Sequence, residues 1–155
     1  MDIRYRPATA DGVVFVAEHA KAEDRQEVMA AWGRDVKTDL LQAFQHSDFC
    51  SCALIGGVPV AVFGTIPDSA FGDRATVWLI FTEEVEKFRV VTAKECRRVL
   101  KDVLQVHSPV YNFVNVENKR IIRWLKWLGA EFVGPVRHGI WGKEHLYFQF
   151  RKEMV

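Results

Sequence analysis

The sequence predicts an α/β protein in which helices cover both faces of a mixed central β-sheet of about six to seven strands. Three observations support this fold class. Residues 111–132 change from the alternating polarity of a half-buried strand to the i, i+3, i+4, i+7 apolar spacing of a helix. Gly56 and Gly57 separate two β-branched apolar runs, as in a hairpin. Residues 74–81 are almost wholly apolar, which is typical of a central strand covered on both faces.

The chain opens with a short strand followed by a helix. Residues 3–6 alternate apolar and charged side chains, and Pro7 ends this strand because proline cannot donate a backbone hydrogen bond. Thr9 or Asp11 can cap the helix that follows, since a short polar side chain accepts from the free amides of a first turn. Its apolar residues are predicted to be Val13, Val14, Val16 and Ala17.

Two further helices are predicted before the hairpin. One covers residues 23–32 and stops at Gly33; the other covers residues 37–44 and is capped by Thr38. Their inward-facing residues are predicted to be Val28, Met29, Trp32, Leu40, Leu41 and Phe44.

The middle of the chain is richer in strands. Residues 49–55 and 58–66 form the predicted hairpin. After the apolar strand, a helix is predicted over residues 92–106, because Thr92 and Glu95 have the spacing of a capping box. Its apolar stripe is Cys96, Val99, Leu100, Val103 and Leu104.

The strand and helix within residues 111–132 are the best-defined unit. Asn118 stands where a helix cap belongs, and Gly129 where the left-handed residue that ends a helix belongs. Trp124 lies on the apolar stripe, whereas Trp127 falls off it and is either partly buried or an interface anchor. Other residues predicted to face solvent are Arg120, Arg123 and Lys126. A last strand is predicted over residues 146–150.

The pattern Asn118-x-x-Ile121-x-x-x-Leu125-x-x-x-Gly129 resembles the closing strand–helix unit of the GNAT (Gcn5-related N-acetyltransferase) superfamily, whose usual form is Asn-x-x-Ala-x-x-x-Tyr-x-x-x-Gly-Phe. The run Ile-Arg-Trp-Leu-Lys-Trp-Leu-Gly after a strand and an Asn is more closely similar to the internal virion protein A family of short-tailed bacteriophages, itself GNAT-like. Residues 78–129 carry that similarity. The resemblance implies a GNAT-like order of elements and a phage protein.

Composition limits the class of protein. A chain of 155 residues can bury one substantial core, so a single domain over residues 1–155 is expected. A net charge of +1 indicates neither nucleic acid nor an anionic membrane as partner. Three cysteines are typical of apolar thiols in a reducing cytoplasm, and the pair Cys50 and Cys52 lacks the second Cys/His pair that a metal site requires. No secretory or membrane-spanning segment is evident. The expected locations are the host-cell cytoplasm and the phage particle.

The resemblance implies a cofactor site that this chain has altered. GNAT enzymes hold acyl-CoA between two splayed strands, with the pyrophosphate on the backbone amides of a glycine-rich loop. The corresponding residues 82–91 contain no glycine, so side chains hinder the close approach of a phosphate to the backbone. Three glutamates in this segment would repel an anion. The residues that the resemblance places near a cofactor are Phe81, Thr82, Lys87, Arg89, Thr92 and Asn118.

The catalytic groups are altered as well. The position of the tyrosine that protonates the leaving thiolate is Leu125, which has no proton to give. The strand 75–81 carries no carboxylate, so Glu83 or Glu84, just past its end, is the best substitute base. Tyr111 and His107 are near in sequence but unplaced. No Ser-His-Asp, Cys-His or metal-ligand spacing offers another active site.

Two hypotheses follow from different classes of function. The first is a catalytically degenerate GNAT-fold phage protein without a cofactor, which acts in virion assembly or as a minor virion protein. Its partners would be other virion proteins, held through Arg120, Arg123 and Trp127. The second is an N-acyltransferase that uses acetyl-CoA on an unidentified amine. An open gap between strands 75–81 and 110–116 favours the enzyme, and a gap filled by Phe88 or Trp78 opposes it. An immunity or anti-host binding module is a third alternative.

Overall fold

Seven strands form one mixed sheet in the order β1-β2-β3-β4-β5-β7-β6. This is a computed structural model that describes residues 2–155. The β4–β5 pair is parallel and the other neighbouring pairs are antiparallel. The strands are β1 Ile3–Pro7, β2 Phe49–Ile55, β3 Val58–Pro67, β4 Ala75–Phe81, β5 Val110–Asn115, β6 Glu131–His138 and β7 Lys143–Phe150.

Five α-helices cover the two faces of this sheet. Alternate β4 side chains, Trp78 and Ile80, join the apolar cluster of α1–α3 on one face, whereas Ala75 and Val77 join that of α4 and α5 on the other. The predicted fold class is therefore confirmed. The helices are α1 Ala10–Glu18, α2 Ala22–Trp32, α3 Val36–His46, α4 Arg89–Val103 and α5 Lys119–Leu128, with 3₁₀ helices at Glu83–Phe88 and Lys152–Met154.

Local sequence signals located several elements correctly. The Thr9 hydroxyl accepts from the Gly12 amide at 3.1 Å and caps α1. The Asn118 side chain accepts from the Ile121 amide at 3.4 Å and caps α5. Gly129 ends α5 at a φ of 106°, in the left-handed region that the prediction required.

Two predicted helix starts are wrong. The helix expected from Thr92 begins at Arg89, because the 3₁₀ turn Glu83–Phe88 runs directly into it. Thr92 is therefore an interior residue of α4 and caps nothing. The cap of α3 is Asp35, whose carboxylate accepts from the Thr38 amide at 2.8 Å, rather than Thr38 itself.

The inward face of α2 also differs from the prediction. Val28 and Ala31 are buried, whereas Met29 and Trp32 are 48% and 40% exposed. The helix turns its acidic residues, rather than a broad apolar stripe, toward the sheet, so apolar periodicity misplaced its inner face.

One strand went unpredicted. β6 contains Gly134 and Pro135, a pair that signals a break in a strand. The structure accommodates both residues at a bulge between Val133 and Val136, where proline's missing donor is tolerated.

Candidate functional site

The central feature of the molecule is a gap between β4 and β5. The two strands pair only at Ala75 with Val110 and at Thr76 with Tyr111, and then separate. A cavity of about 1010 Å³ occupies the gap and reaches both faces of the sheet. Residues that line it on the two strands are Val77, Trp78, Leu79, Ile80, Phe81, Asn112, Phe113 and Val114.

Neither aromatic residue named in the sequence analysis closes this gap. Trp78 lines the cavity, but its indole nitrogen donates to the Ser47 hydroxyl at 2.9 Å and its ring packs with α1 and α3. Phe88 does not line the cavity. The gap is therefore open, as in the arrangement that favours a ligand between the strands.

Several backbone groups that the separation of β4 and β5 exposes are bonded from within the chain. The side-chain amide nitrogen of Asn112 donates to the Val77 carbonyl at 2.8 Å. The Phe81 N–H donates to the Asp24 carboxylate at 3.2 Å. The Phe81 carbonyl accepts from the backbone N–H of Lys21 at 3.2 Å. Three backbone groups of β4 at the gap are thus bonded from within the chain, two of them by side chains.

A second carboxylate of α2 binds the end of β5. Glu27 accepts from the Asn115 amide at 3.1 Å and from the Asn118 side-chain nitrogen at 2.9 Å. Burial raises the pKa of Glu27, although these hydrogen bonds oppose the shift. Asn118, which the resemblance placed at a cofactor, serves as helix cap and as the donor to Glu27.

Asp24 lies in the lining of the cavity, and its carboxyl has a strongly raised pKa. Burial raises its pKa to about 6, against the opposing hydrogen bond from Phe81 and the charge of Lys21. Near neutral pH this carboxyl therefore exchanges a proton readily, which is a property of functional sites and of tightly packed carboxylates alike.

Three cations converge on one carboxylate beside the gap. Glu86, in the 3₁₀ helix, lies 2.7 Å from Lys21 Nζ, 2.8 Å from an Arg120 guanidinium nitrogen and 3.6 Å from Arg89 Nε. Arg120 also pairs with Glu23 at 3.0 Å. Hydrogen bonds from Lys21 and Arg120 lower the pKa of Glu86 to about 2, so it is ionised under ordinary conditions.

The residues predicted as bases lie outside the cavity. Glu83 and Glu84 are exposed and do not line it, and Glu84 pairs with Lys87 at 3.0 Å on the surface. The acidic residues that do line it are Glu23, Asp24, Glu27, Asp39, Glu86 and Glu95. Sequence reasoning missed the three in α2; their i, i+1, i+4 spacing beside buried Val28 was the available signal.

The predicted cofactor residues divide into two groups. Phe81, Arg89 and Thr92 line the cavity. Lys87 lies outside its lining, and Thr82 is buried with a hydroxyl that finds no hydrogen-bond partner among the described residues. The residues named from the resemblance therefore lie partly in the wall of the cavity and partly outside it.

The other residues considered for chemistry lie away from the gap or within the core. Leu125 is buried between α5 and the sheet. His107 is buried, with Nε2 at 2.7 Å from the Asp48 carboxylate, and Tyr111 donates to Asp68 at 2.6 Å. Neither His107 nor Tyr111 lines the cavity.

The three residues predicted to hold a partner have different surroundings. Trp127 is 46% exposed, and the Arg97 guanidinium lies over its ring at 3.8 Å from the centroid. Arg123 is exposed. Arg120 is engaged by Glu23 and Glu86, which corrects the prediction that it faces solvent freely.

A family model described as "Bacteriophage T7, probable scaffold protein Gp13" matches residues 54–135, more than half of the chain. The chain belongs to this family. The match runs from the end of β2 through β3, the gap strands, α4 and α5, and so contains most of the cavity lining, whereas the lining residues of β1, α2 and β7 lie outside it. Comparison with curated proteins found no match by sequence.

Solved structures show that this member of the Gp13 family has the GNAT fold. A chimera of the Vibrio cholerae spermidine N-acetyltransferase SpeG and hSSAT superposes with a TM-score of 0.75 at 11% identity, covering 99% of this chain and 97% of that one. The GNAT domain of S. lividans PAT gives 0.72 at 19%, with 96% and 90% covered. The V. cholerae spermidine N-acetyltransferase in complex with CoA and spermine gives 0.71 at 12%, with 98% and 96% covered.

Two further tests concern ligand and membrane. Within residues 2–155, no group of three or more His, Cys, Asp or Glu side chains is arranged to hold a metal ion. In the same part of the chain, no helix has both the length and the apolarity to cross a bilayer.

Proposed function

We propose that this member of the Gp13 family works in virion assembly, or as a minor virion protein, without transferring acyl groups. One observation carries the proposal: several of the backbone groups that border the gap are bonded from within the chain. The Phe81 backbone is bonded by the Asp24 carboxylate and by the backbone N–H of Lys21. The Asn112 side chain bonds the Val77 carbonyl, and the Glu27 carboxylate bonds the N–H of Asn115 at the end of β5. A polar ligand that entered would have to break these bonds at a cost for each group left unpaired.

The segment after β4 supports the same proposal. In GNAT enzymes this segment cradles a pyrophosphate on backbone amides. Here it is a 3₁₀ helix without glycine, and Glu86 already holds the nearby cations. A pyrophosphate would compete with a carboxylate of the protein that is present at a very high local concentration. The residues present therefore fit CoA poorly at this place.

The proposed partners are other virion proteins, and the proposed locations are the host-cell cytoplasm and the phage particle. The family's description as a probable scaffold protein agrees with this role. Trp127 and Arg123 remain the proposed contact residues, since a half-exposed tryptophan beside arginines has the composition of an interface anchor.

A calorimetric titration tests the loss of the cofactor. Acetyl-CoA and CoA are titrated into the purified chain, and we expect no heat of binding at millimolar ligand. Micromolar binding that Arg89→Ala weakens would overturn the proposal. Lys87→Ala is the matched control, because Lys87 lies two residues away but outside the cavity.

A complementation experiment tests the role in the particle. Phage lacking this gene are grown on cells that supply the wild-type protein or Trp127→Ala. We expect Trp127→Ala to reduce the yield of infectious particles at least tenfold. Trp141→Ala, which removes another half-exposed tryptophan beside Gly33 at the end of α2, serves as control. Full complementation by Trp127→Ala would reject this contact surface.

The alternative function is acetyl-CoA-dependent N-acyl transfer to an amine, and the open cavity between β4 and β5 favours it. On this alternative, Asp24 lies within the cavity to take up the amine proton, in place of the predicted Glu83 or Glu84. Release of CoA thiol from acetyl-CoA in the presence of a panel of amines, lost in Asp24→Ala, would establish the enzyme.

A further inference from the structure

The sheet face beneath the first half of α4 is apolar and is not packed against the helix. Its cluster of buried and half-buried residues takes Val85 from the 3₁₀ helix but, among the described residues, none from α4. In the part of the chain that the structure describes, α4 packs onto the sheet from Cys96 onward, through Leu100 and Val103, so Cys96 lies at the boundary between the packed part of the helix and the open part. The floor of this space is formed by Ile3, Ala53, Ile55, Ala61, Leu79 and Phe81.

Polar contacts at two edges hold α4 above this floor. On the side of β1, the Tyr5 hydroxyl donates to Glu95 at 2.7 Å. On the side of α5, the Arg97 guanidinium donates to the Trp127 carbonyl and stacks on its ring. The roof residues Thr92, Ala93, Cys96 and Val99 line the same cavity as the floor. We call the space between this roof and floor the chamber.

The chamber offers little to a polar ligand. It forms part of the cavity of about 1010 Å³ that opens between β4 and β5. Tyr5 is already bonded to Glu95, and burial raises the pKa of Cys96 to about 12, so that thiol stays protonated and apolar. An occupant must therefore be apolar over the length that enters.

Two exposed cationic side chains belong to the lining of the cavity. Lys94 on α4 and Arg123 on α5 both line the cavity with exposed side chains. Within residues 2–155 neither forms an ion pair. A ligand with an apolar chain and an anionic head would contact the apolar lining with its chain and these cations with its head.

We propose that the chamber binds the chain of a long-chain fatty acid, with the carboxylate at Lys94 and Arg123. A single flexible acyl chain suits an irregular apolar space, because it buries its length while its head stays in water. The proposal does not depend on the proposed function, since a carrier of an acyl chain requires neither the gap's backbone groups nor a pyrophosphate site.

Fluorescence titration with cis-parinarate, a fatty acid that brightens in apolar surroundings, tests the proposal on the delipidated full chain. We expect saturable micromolar binding that palmitate displaces and octanoate displaces at least tenfold less well. Ala93→Phe, which fills the chamber from its roof, should weaken binding at least tenfold. Ala22→Phe adds the same ring to an exposed helix position outside the cavity and should leave binding unchanged.

A separate set of variants tests the contact with the carboxylate. Lys94→Ala combined with Arg123→Ala should weaken palmitate severalfold but leave methyl palmitate unaffected, whereas Lys101→Ala on the outer face of α4 should change neither. Should Ala93→Phe fail to fold, Cys96→Leu fills the same roof with less bulk and should still weaken binding.

Several results would overturn the proposal. One is the absence of saturable parinarate binding, as expected if the chamber is reserved for an apolar segment of a protein. Another is binding that neither filling variant weakens. Displacement of parinarate by acetyl-CoA but not by palmitate would reject the fatty acid and support the N-acyltransferase alternative instead.

Discussion

Lys21 Nζ lies 2.7 Å from a carboxylate oxygen of Glu86, so the residue that precedes α2 holds the segment that follows β4. Arg89 and Arg120 approach the same carboxylate from α4 and α5. Cations from three elements therefore surround an anion that the chain itself supplies. In a GNAT enzyme an anion near this position would belong to the ligand.

Removal of the Glu86 charge should free this cluster for an external anion. We expect Glu86→Gln to bind inorganic diphosphate at least tenfold more tightly than the wild type, because three cations lose their shared partner. Isothermal calorimetry at low salt measures the effect. Glu84→Gln, which removes an exposed pair with Lys87, is the control. Equal affinities in Glu86→Gln and the wild type would show that the cluster is not an anion site.

Asp24 should make the protein less stable as the pH rises. Burial raises its pKa from 3.8 to about 6, so the folded state binds this proton more tightly than the unfolded state. Its contribution to stability is fully present below about pH 4, declines between about pH 4 and 6, and is lost above that range; the whole effect is at most roughly 3 kcal/mol.

Asp24→Asn provides the test, because asparagine keeps an acceptor for the Phe81 amide without the charge. Urea unfolding at pH 5 and pH 7.5 should show a smaller loss of stability in the variant than in the wild type. Part of the pH dependence of stability should remain in Asp24→Asn, since burial also raises the pKa of Glu27. Glu18→Gln on the exposed side of α1 should behave as the wild type. An unchanged slope in Asp24→Asn would contradict the assignment.

Glu27 should fix the junction between β5 and α5. Glu27→Ala leaves the Asn115 amide and the Asn118 side chain without their acceptor, and we expect a loss of about 2 kcal/mol of unfolding free energy. Hydrogen exchange at the Asn115 amide should accelerate more than the global change explains. Glu27→Gln retains an acceptor and should lose less than half as much. Equal losses in both variants would point to charge rather than hydrogen bonding.

A tyrosine placed at position 125 should not by itself restore the proton donor of GNAT enzymes. Leu125 is 4% exposed within the core of α4, α5 and the sheet, so Leu125→Tyr adds volume and a buried hydroxyl. We expect a loss of roughly 1–3 kcal/mol and no acetyl transfer. Leu125→Met, which preserves volume, should cost under about 1.5 kcal/mol. Thermal unfolding and thiol release measure the two effects. Activity in Leu125→Tyr would reopen the enzyme hypothesis.

Short-range signals were sufficient where a local rule decides the backbone. Asn118 and Gly129 bounded α5 correctly because capping and left-handed residues act within one turn. The two glycines of the β2–β3 turn adopt φ of 58° and 79°, as the hairpin signal requires. The predicted start of α4 at Thr92 was wrong, because the capping-box pattern there lies inside a helix that already begins at Arg89.

The sequence alone determined the order of most elements, the GNAT resemblance and the altered residues at the loop and at Leu125, since each depends on neighbouring residues or on a motif. Only the tertiary structure decided what faces the gap. Asp24 reaches Phe81 across 57 positions and Asn112 reaches Val77 across 35. Such contacts depend on how far two strands separate and how a helix is turned, which are properties of the packed whole. The chamber under α4 has the same origin, because no periodicity records the distance between a helix and a sheet.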